Sequence, residues 1–401
     1  MEILLDSMVE GDPQVPFKYV RAVRESGGLG DVVRCLAVLQ GLREKYPDAR
    51  VHFFGPGYLA DLVVPRAKNA FDSYIRCENQ SRARDAVIDE DVFPHLNVGI
   101  EYDESHDMFC PAYLEEPATG GIVCQERTEL WCRHADVPLS RPRLIPLEQD
   151  LQVAENMMNQ HDRIVGIQVG ATCRSREWPF ENWAQLIKML RREGIHVVIF
   201  DVCYRWGDTI SHSDCEMVVN GSWFDVVGKI MSTNLMITPD SGFYHLSGAL
   251  KKKTLGIFGP TSGQVISRIW NMEVPTHFYI QTDWRDVDPD ILPKKNGSGK
   301  PCIPICYQRW ERGWDGARYR EKKEYCALIK QITPGMVFNQ VMSMLNDPHG
   351  NNPGLARAFE HYDHEHGYPL SLKQKIVKWK QLNSNVKRQE QTKELEKNNK
   401  T

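Results

Sequence analysis

The stretch from Arg163 to Phe200, RIVGIQVGATCRSREWPFENWAQLIKMLRREGIHVVIF, decides the fold. Its first seven residues, Arg163 to Val169, form a nearly unbroken apolar run, the pattern of a strand buried on both faces. A polar loop follows from Gly170 to Glu177, and Pro179 then stands where proline is tolerated, near the first turn of a helix. Phe180 to Glu193 carries apolar residues at helical spacing, Gly194 ends the helix, and Ile195 to Phe200 is a second strand. Strand, loop, helix and strand make up the repeating unit of a parallel α/β sheet.

The same pattern continues in both directions. Downstream, Leu235 to Thr238 reads as a strand, Asp240-Ser241-Gly242 opens a helix running to Leu250, and Thr254 to Phe258 is a strand ending in Gly259-Pro260-Thr261. Upstream, Lys18 to Val23 is a strand candidate, and Gly27-Gly28-Leu29-Gly30-Asp31 leads into a helix from Val32 to Lys45. Tyr46-Pro47-Asp48 stops that helix, and Val51 to Phe54 is the next strand. A polar stretch near residues 145 to 161 separates the two sets, while residues 60 to 150 give no clear elements. The expected architecture is α/β, with two facing Rossmann-like doubly wound domains and a cleft between them. Residues 1–150 form the first domain and 151–345 the second, and 346–401 is a charged tail, helical or partly disordered.

The bulk composition narrows the function classes. With 401 residues, 41% hydrophobic and 25% charged, the chain has the make-up of a soluble globular protein. A net charge of −4 gives no general attraction to nucleic acid or anionic membrane. Ser371 to Thr401 runs against that average, with eight Lys and one Arg to three Glu. No segment reads as a signal peptide or a membrane helix, so a cytoplasmic location is expected. Eleven scattered cysteines read as reduced thiols rather than a disulfide framework.

Parallel sheets bind ligands beyond the carboxyl ends of their strands, and three loops there carry suggestive residues. Gly28 and Gly30 allow close backbone approach before a helix N-terminus, although the same residues also suit a tight turn with Asp31 as a capping carboxylate. The loop from Gly170 to Pro179 places Thr172 and Arg176 where a diphosphate would be met, or is simply a solvated basic loop. In the third loop, Ser241 and the N–H groups of Gly242 and Phe243 would face an anion, with His245 one turn along; an ordinary N-cap is the alternative.

In this order and spacing the three loops resemble the bacterial heptosyltransferase family, which has the GT-B fold. The resemblance rests on Gly28-Leu29-Gly30-Asp31-Val32-Val33 with Leu42 to Pro47, and on Gly170-Ala171 with Arg176 to Trp183. It rests also on Asp240-Ser241-Gly242 with His245-Leu246, and on Leu255 to Thr261. It implies an inverting, metal-independent transfer from a nucleotide-diphosphate sugar, with ADP-sugar favoured over UDP- or GDP-sugar. It further implies Asp31 as the general base, and Thr172, Arg176, Asp240, Ser241, Gly242, His245 and Thr261 around the donor. Cys173, Arg174, Phe243 and Tyr244 depart from the family pattern and leave the sugar open. Residues Phe71 to Leu144 resemble no part of the family and are expected to hold the acceptor, which could be a saccharide, a protein or a modified base in DNA. A nucleotide-sugar epimerase or hydrolase on the same fold, or a non-catalytic binding protein, are the other readings. Some relatives that glycosylate proteins bind iron through four cysteines. Here Cys302, Cys306 and Cys326 offer three, so reduced structural thiols are expected and no cofactor is required.

Overall fold

The computed structural model describes residues 3–5, 18–24, 27–67, 69–77, 103–108, 126–171, 176–201, 215–219, 221–259, 261–272, 275–282 and 325–346. Among these, two sheets organise the chain. The first has five strands, β1 (Ile3–Leu5), β2 (Tyr19–Val23), β3 (Arg50–Pro56), β4 (Ser73–Cys77) and β5 (Glu104–Asp107), in the order β1-β4-β3-β2-β5. All pairings are parallel except that of β1 with β4. The strand β1 falls in a segment whose sequence reads only as a polar start.

The second sheet has six strands, β6 (Ile164–Gln168), β7 (His196–Asp201), β8 (Glu216–Val219), β9 (Leu235–Pro239), β10 (Thr254–Phe258) and β11 (His277–Gln281). Their order is β11-β10-β9-β6-β7-β8, with every pairing parallel. Read from β8, this is the 3-2-1-4-5-6 order of a dinucleotide-binding sheet, and the winding reverses between β6 and β9. The first sheet reverses likewise between β2 and β5. Ligand crevices are therefore expected beyond the carboxyl ends of β2 and β6. Strands β6, β9 and β10 are buried along their whole length, as the apolar runs predict.

Helix α1 (Leu29–Lys45) follows β2 and is buried from Gly30 to Leu39. A helix apolar on nearly all sides must be covered on nearly all sides. It packs on β3, on α3 (Arg127–His134) and on α7 (Gly242–Ala249). Its start at Leu29, three residues before the predicted Val32, puts Gly30 and Asp31 inside the first turn. Between the sheets the polar stretch forms α4 (Glu148–Met158), which packs against α6 (Trp223–Ser232). Its Asp150, fully buried, takes two bonds from Arg66 of α2 (Ala60–Arg66) at 2.8 and 2.5 Å. A buried bidentate pair of this kind fixes geometry more than it adds stability.

The remaining helices are α5 (Phe180–Arg192), α8 (Gly263–Ser267), α9 (Ala327–Lys330) and α10 (Pro334–Asn346). Glycine is required at Gly194, after α5, where φ is +71°. Apolar residues of both halves join in one core, in which Val32 and Leu36 of α1 meet the cluster holding Tyr244 and Leu246 of α7. Residues Met1–Leu345 form one compact unit. The expected tail beyond Asn346 lies outside the described residues. None of the described helices is long and apolar enough to cross a membrane.

Candidate active site

The predicted site residues fall into two clusters that meet where the starts of α1 and α7 touch. Behind the touching ends lie Asp31 on one side and Asp240 on the other.

Asp31 is 8% exposed and faces three guanidiniums: Arg34 at 2.9 Å, Arg24 at 3.2 Å and Arg127 at 3.3 Å. It occupies the third helical position, in the first turn of α1 after the N-cap Gly28. Arg34 is shared: its other nitrogen donates to Glu126 at 2.8 Å. Glu126, fully buried, also accepts the Thr128 amide at 2.5 Å and so caps α3. The guanidiniums of Arg24 and Arg34 each lie 5.5 Å from the Trp131 ring. Asp31 is thus a carboxylate whose orientation is fixed from three directions.

The two glycines of the first loop have different surroundings. Gly28 is exposed, and a Cβ built on it would meet nothing within 4 Å among the described residues, leaving room for a ligand. Gly30 is buried. A Cβ there would lie 2.5 Å from His245 Cδ2 and 3.3 Å from the Gly242 Cα. Its missing side chain lets α1 and α7 approach each other, not a ligand approach the backbone.

The second cluster joins the ends of three neighbouring strands. Asp240, after β9, is 5% exposed and accepts from Thr261 Oγ1 at 2.7 Å and Arg176 Nη1 at 3.2 Å. Burial pushes its pKa up, but the Arg176 guanidinium and the Thr261 hydroxyl outweigh that and hold the carboxyl below its ordinary value. Arg176 is therefore anchored, with further N–H groups on the same planar fork. The Thr261 hydroxyl is taken up by Asp240, so it supports the loop from within. The Ser241 hydroxyl donates to Gln168 Oε1 at 2.6 Å, and the Gln168 amide donates to the Gly170 carbonyl at 2.6 Å. Ser241 thereby ties the end of β6 to the start of α7, and the N–H groups of the first turn are what α7 offers an anion.

His245 is 5% exposed, and its Nδ1 accepts from Trp270 Nε1 at 3.2 Å. Burial, followed by the charge of Arg34, lowers its pKa well below the usual value. The Trp-Pro pair of the middle loop is structural: Trp178 Nε1 donates to the Ile332 carbonyl at 2.8 Å, docking the Ile-Thr-Pro segment before α10. Thr172, Cys302 and Cys306 lie outside the described residues. Cys326 is half-buried at the start of α9. Among the described residues no group of three or more His, Cys, Asp or Glu is placed to hold a metal ion.

Several participants escape the sequence reading. Arg34 was legible in principle, since it stands at i+3 from Asp31 on a predicted helix. Gln168 ends a buried strand, where a polar side chain marks a carboxyl end. Glu126, Arg127 and Trp270 carry no such signal and are brought in only by tertiary packing.

With this geometry in view, the comparisons with known proteins agree on class. The family model described as glycosyltransferase family 9 (heptosyltransferase) matches residues 97–208 and 222–275. That match corrects the expectation that Phe71 to Leu144 resembles no part of the family, since it begins at residue 97; it leaves the opening glycine loop outside. The fold is similar to that of the ADP-heptose lipopolysaccharide heptosyltransferase II of E. coli, with TM-score 0.56 and 16% identity over 82% of this chain and 99% of that one. A glycosyl transferase family 9 protein from Veillonella parvula gives TM-score 0.56 and 14% identity over 82% and 98%. The iron-containing dodecameric glycosyltransferase TibC of enterotoxigenic E. coli gives 0.51 and 14% over 83% and 77%. No curated protein matches the sequence. The fold is that of the GT-B glycosyltransferases, and the matched segments are those of a glycosyltransferase. Within that class the chain is heptosyltransferase-like.

Proposed function

We propose that this chain transfers a glycosyl group, heptose or another, from a nucleotide-diphosphate sugar to an acceptor hydroxyl, with inversion and without a metal ion. Residues 151–345 hold the donor and 1–150 the acceptor. The observation that carries this reading is the contact of Gly30, next to Asp31, with Gly242 and His245 at the touching starts of α1 and α7.

The anionic diphosphate lies at the N-terminus of α7, where the N–H groups of Gly242 and Phe243 and the Arg176 guanidinium take up its charge. Asp240 keeps Arg176 in place and His245 contacts the sugar. Thr172 adds a hydroxyl, and Gly28 leaves room at the start of α1. The acceptor oxygen attacks the anomeric carbon on the face opposite the diphosphate. As that bond forms, its proton passes to the Asp31 carboxylate, and the bond to the diphosphate oxygen breaks with its electron pair leaving on the phosphate. Arg24, Arg34 and Arg127 hold the carboxylate still for that transfer.

An ADP-sugar is the favoured donor, a choice supported by the ADP-heptose named for the E. coli heptosyltransferase II. The acceptor is a saccharide, a protein or a modified nucleic-acid base. Calorimetric titration with ADP, UDP and GDP and their sugars tests the reading: adenine nucleotides should bind most tightly, and binding of none would sink it.

A further inference from the structure

His245 has a neighbour that the transfer mechanism does not use. Trp270 is fully buried, its ring centroid lies 5.7 Å from that of His245, and its indole N–H points at His245 Nδ1 across 3.2 Å. An indole nitrogen can only donate, so the ring nitrogen that meets it must carry a lone pair. The proton of a neutral His245 is then on Nε2. Next to Nε2, the Cδ2 edge of the ring faces Gly30, so the imidazole is wedged between Trp270 and the start of α1. Among the described residues no acceptor takes the Nε2 proton.

We propose that Trp270 is a positioning residue that locks His245 in the neutral tautomer with its proton on Nε2. His245 then serves the site as a fixed hydrogen-bond donor and not as an acid or a base. Protonating the ring would set two N–H groups against each other, one on Nδ1 and one on Trp270. The surrounding charges are Arg34 and Asp31 from α1 and Asp240 from the end of β9, with His277 of β11 beyond. His277 is itself held neutral, its pKa lowered to about 3 by burial, and its Nε2–H donates to the Tyr244 carbonyl at 2.9 Å. A neutral donor suits a sugar hydroxyl or phosphate oxygen, because it needs no counter-charge when the site is empty. The role at the donor rests on the function proposed above; the tautomer does not.

The test is histidine-selective ¹⁵N NMR of the full chain, with His245→Asn identifying the resonances, on wild type and Trp270→Phe. Phenylalanine keeps an aromatic ring in the space and removes the N–H, together with part of the indole's volume. Wild type should show His245 protonated on Nε2 alone and uncharged well below the ordinary histidine range. Trp270→Phe should show mixed tautomers and a His245 that titrates at higher pH, with donor KM raised about fivefold, the size of one misdirected hydrogen bond. A wild-type His245 protonated on Nδ1, or charged at pH 7, would overturn the proposal, as would an unchanged tautomer in a folded Trp270→Phe. If Trp270→Phe fails to fold, the wild-type tautomer alone decides. If no nucleotide binds at all, the proposed function fails while the tautomer is still read in the free protein.

Discussion

Replacing Gly30 by alanine adds one methyl group at the meeting point of the two clusters. That Cβ would stand 2.5 Å from His245 Cδ2 and 3.3 Å from both His245 Cγ and the Gly242 Cα. Carbon atoms in good contact sit about 3.5–4.0 Å apart, so the overlap with the ring is on the order of 1 Å. Neither neighbour can yield easily, because Trp270 holds the His245 ring and the Gly242 atom is backbone. Overpacking of this kind costs roughly 1–3 kcal/mol, against at most about 1 kcal/mol gained by removing a glycine from the first turn of a helix. The net loss of stability is therefore small, up to about 2 kcal/mol. The displacement, however, falls on His245 and the first turn of α7. At 1.4 kcal/mol per factor of ten, about 1–3 kcal/mol of misplacement lowers kcat/KM for the donor by roughly one to two orders of magnitude. Gly28→Ala is the control, since it meets open space in the protein alone and should unfold at the wild-type temperature. Steady-state kinetics with calorimetric melting reads both variants. If Gly30→Ala keeps wild-type donor kinetics and melting temperature, α1 and α7 do not pack this closely in solution and the reasoning fails.

Three further outcomes follow from the same geometry. Arg176→Gln removes the guanidinium from Asp240 and from the donor phosphates; the donor Kd should rise about 10- to 100-fold by calorimetry, with Arg176→Lys recovering part of it. Glu126→Gln takes the charge from a fully buried partner of Arg34. Denaturant titration should show a loss of about 2–4 kcal/mol, and turnover should fall with it as Asp31 loses its fixed orientation. His277 is neutral in the fold, its pKa lowered to about 3, but takes a proton near pH 6.5 once unfolded. Because the unfolded chain binds more protons between those values, stability is full above about pH 6.5 and falls as the pH drops toward 3. The loss from this group alone is about 2 kcal/mol at pH 5, and His277→Gln should remove that share from the pH dependence of melting.

Local signals were enough for the strands and helices that bear the site. The runs around Ile164, Leu235 and Thr254 are buried on both faces, so their apolar character is continuous and needs no context. Gly194 and Pro179 mark the ends of α5 by backbone chemistry alone. The edge strand β1 and the helix at Glu148–Met158 are less legible, because one is very short and the other is amphipathic and mostly polar. In the site, the sequence order of Asp31, Arg176, Asp240 and His245 points to a shared function. The partners that orient them stand far away in the chain. Glu126 is 92 residues from Arg34, and Trp270 is 25 from His245. No periodicity reports such pairs. The roles of Gly30 and Gly28 could not be told apart either, since the distinction depends on what α7 places opposite each.

The proposed transfer depends most directly on Asp31. Asp31→Asn keeps the shape of the side chain and removes its ability to take a proton, so a product assay and donor titration on one preparation separate chemistry from binding. Transfer should fall by about 10²–10⁴-fold while the donor Kd stays within about threefold of wild type. Turnover near the wild-type rate in that variant would contradict the assignment of Asp31 as the base, and with it the proposed mechanism.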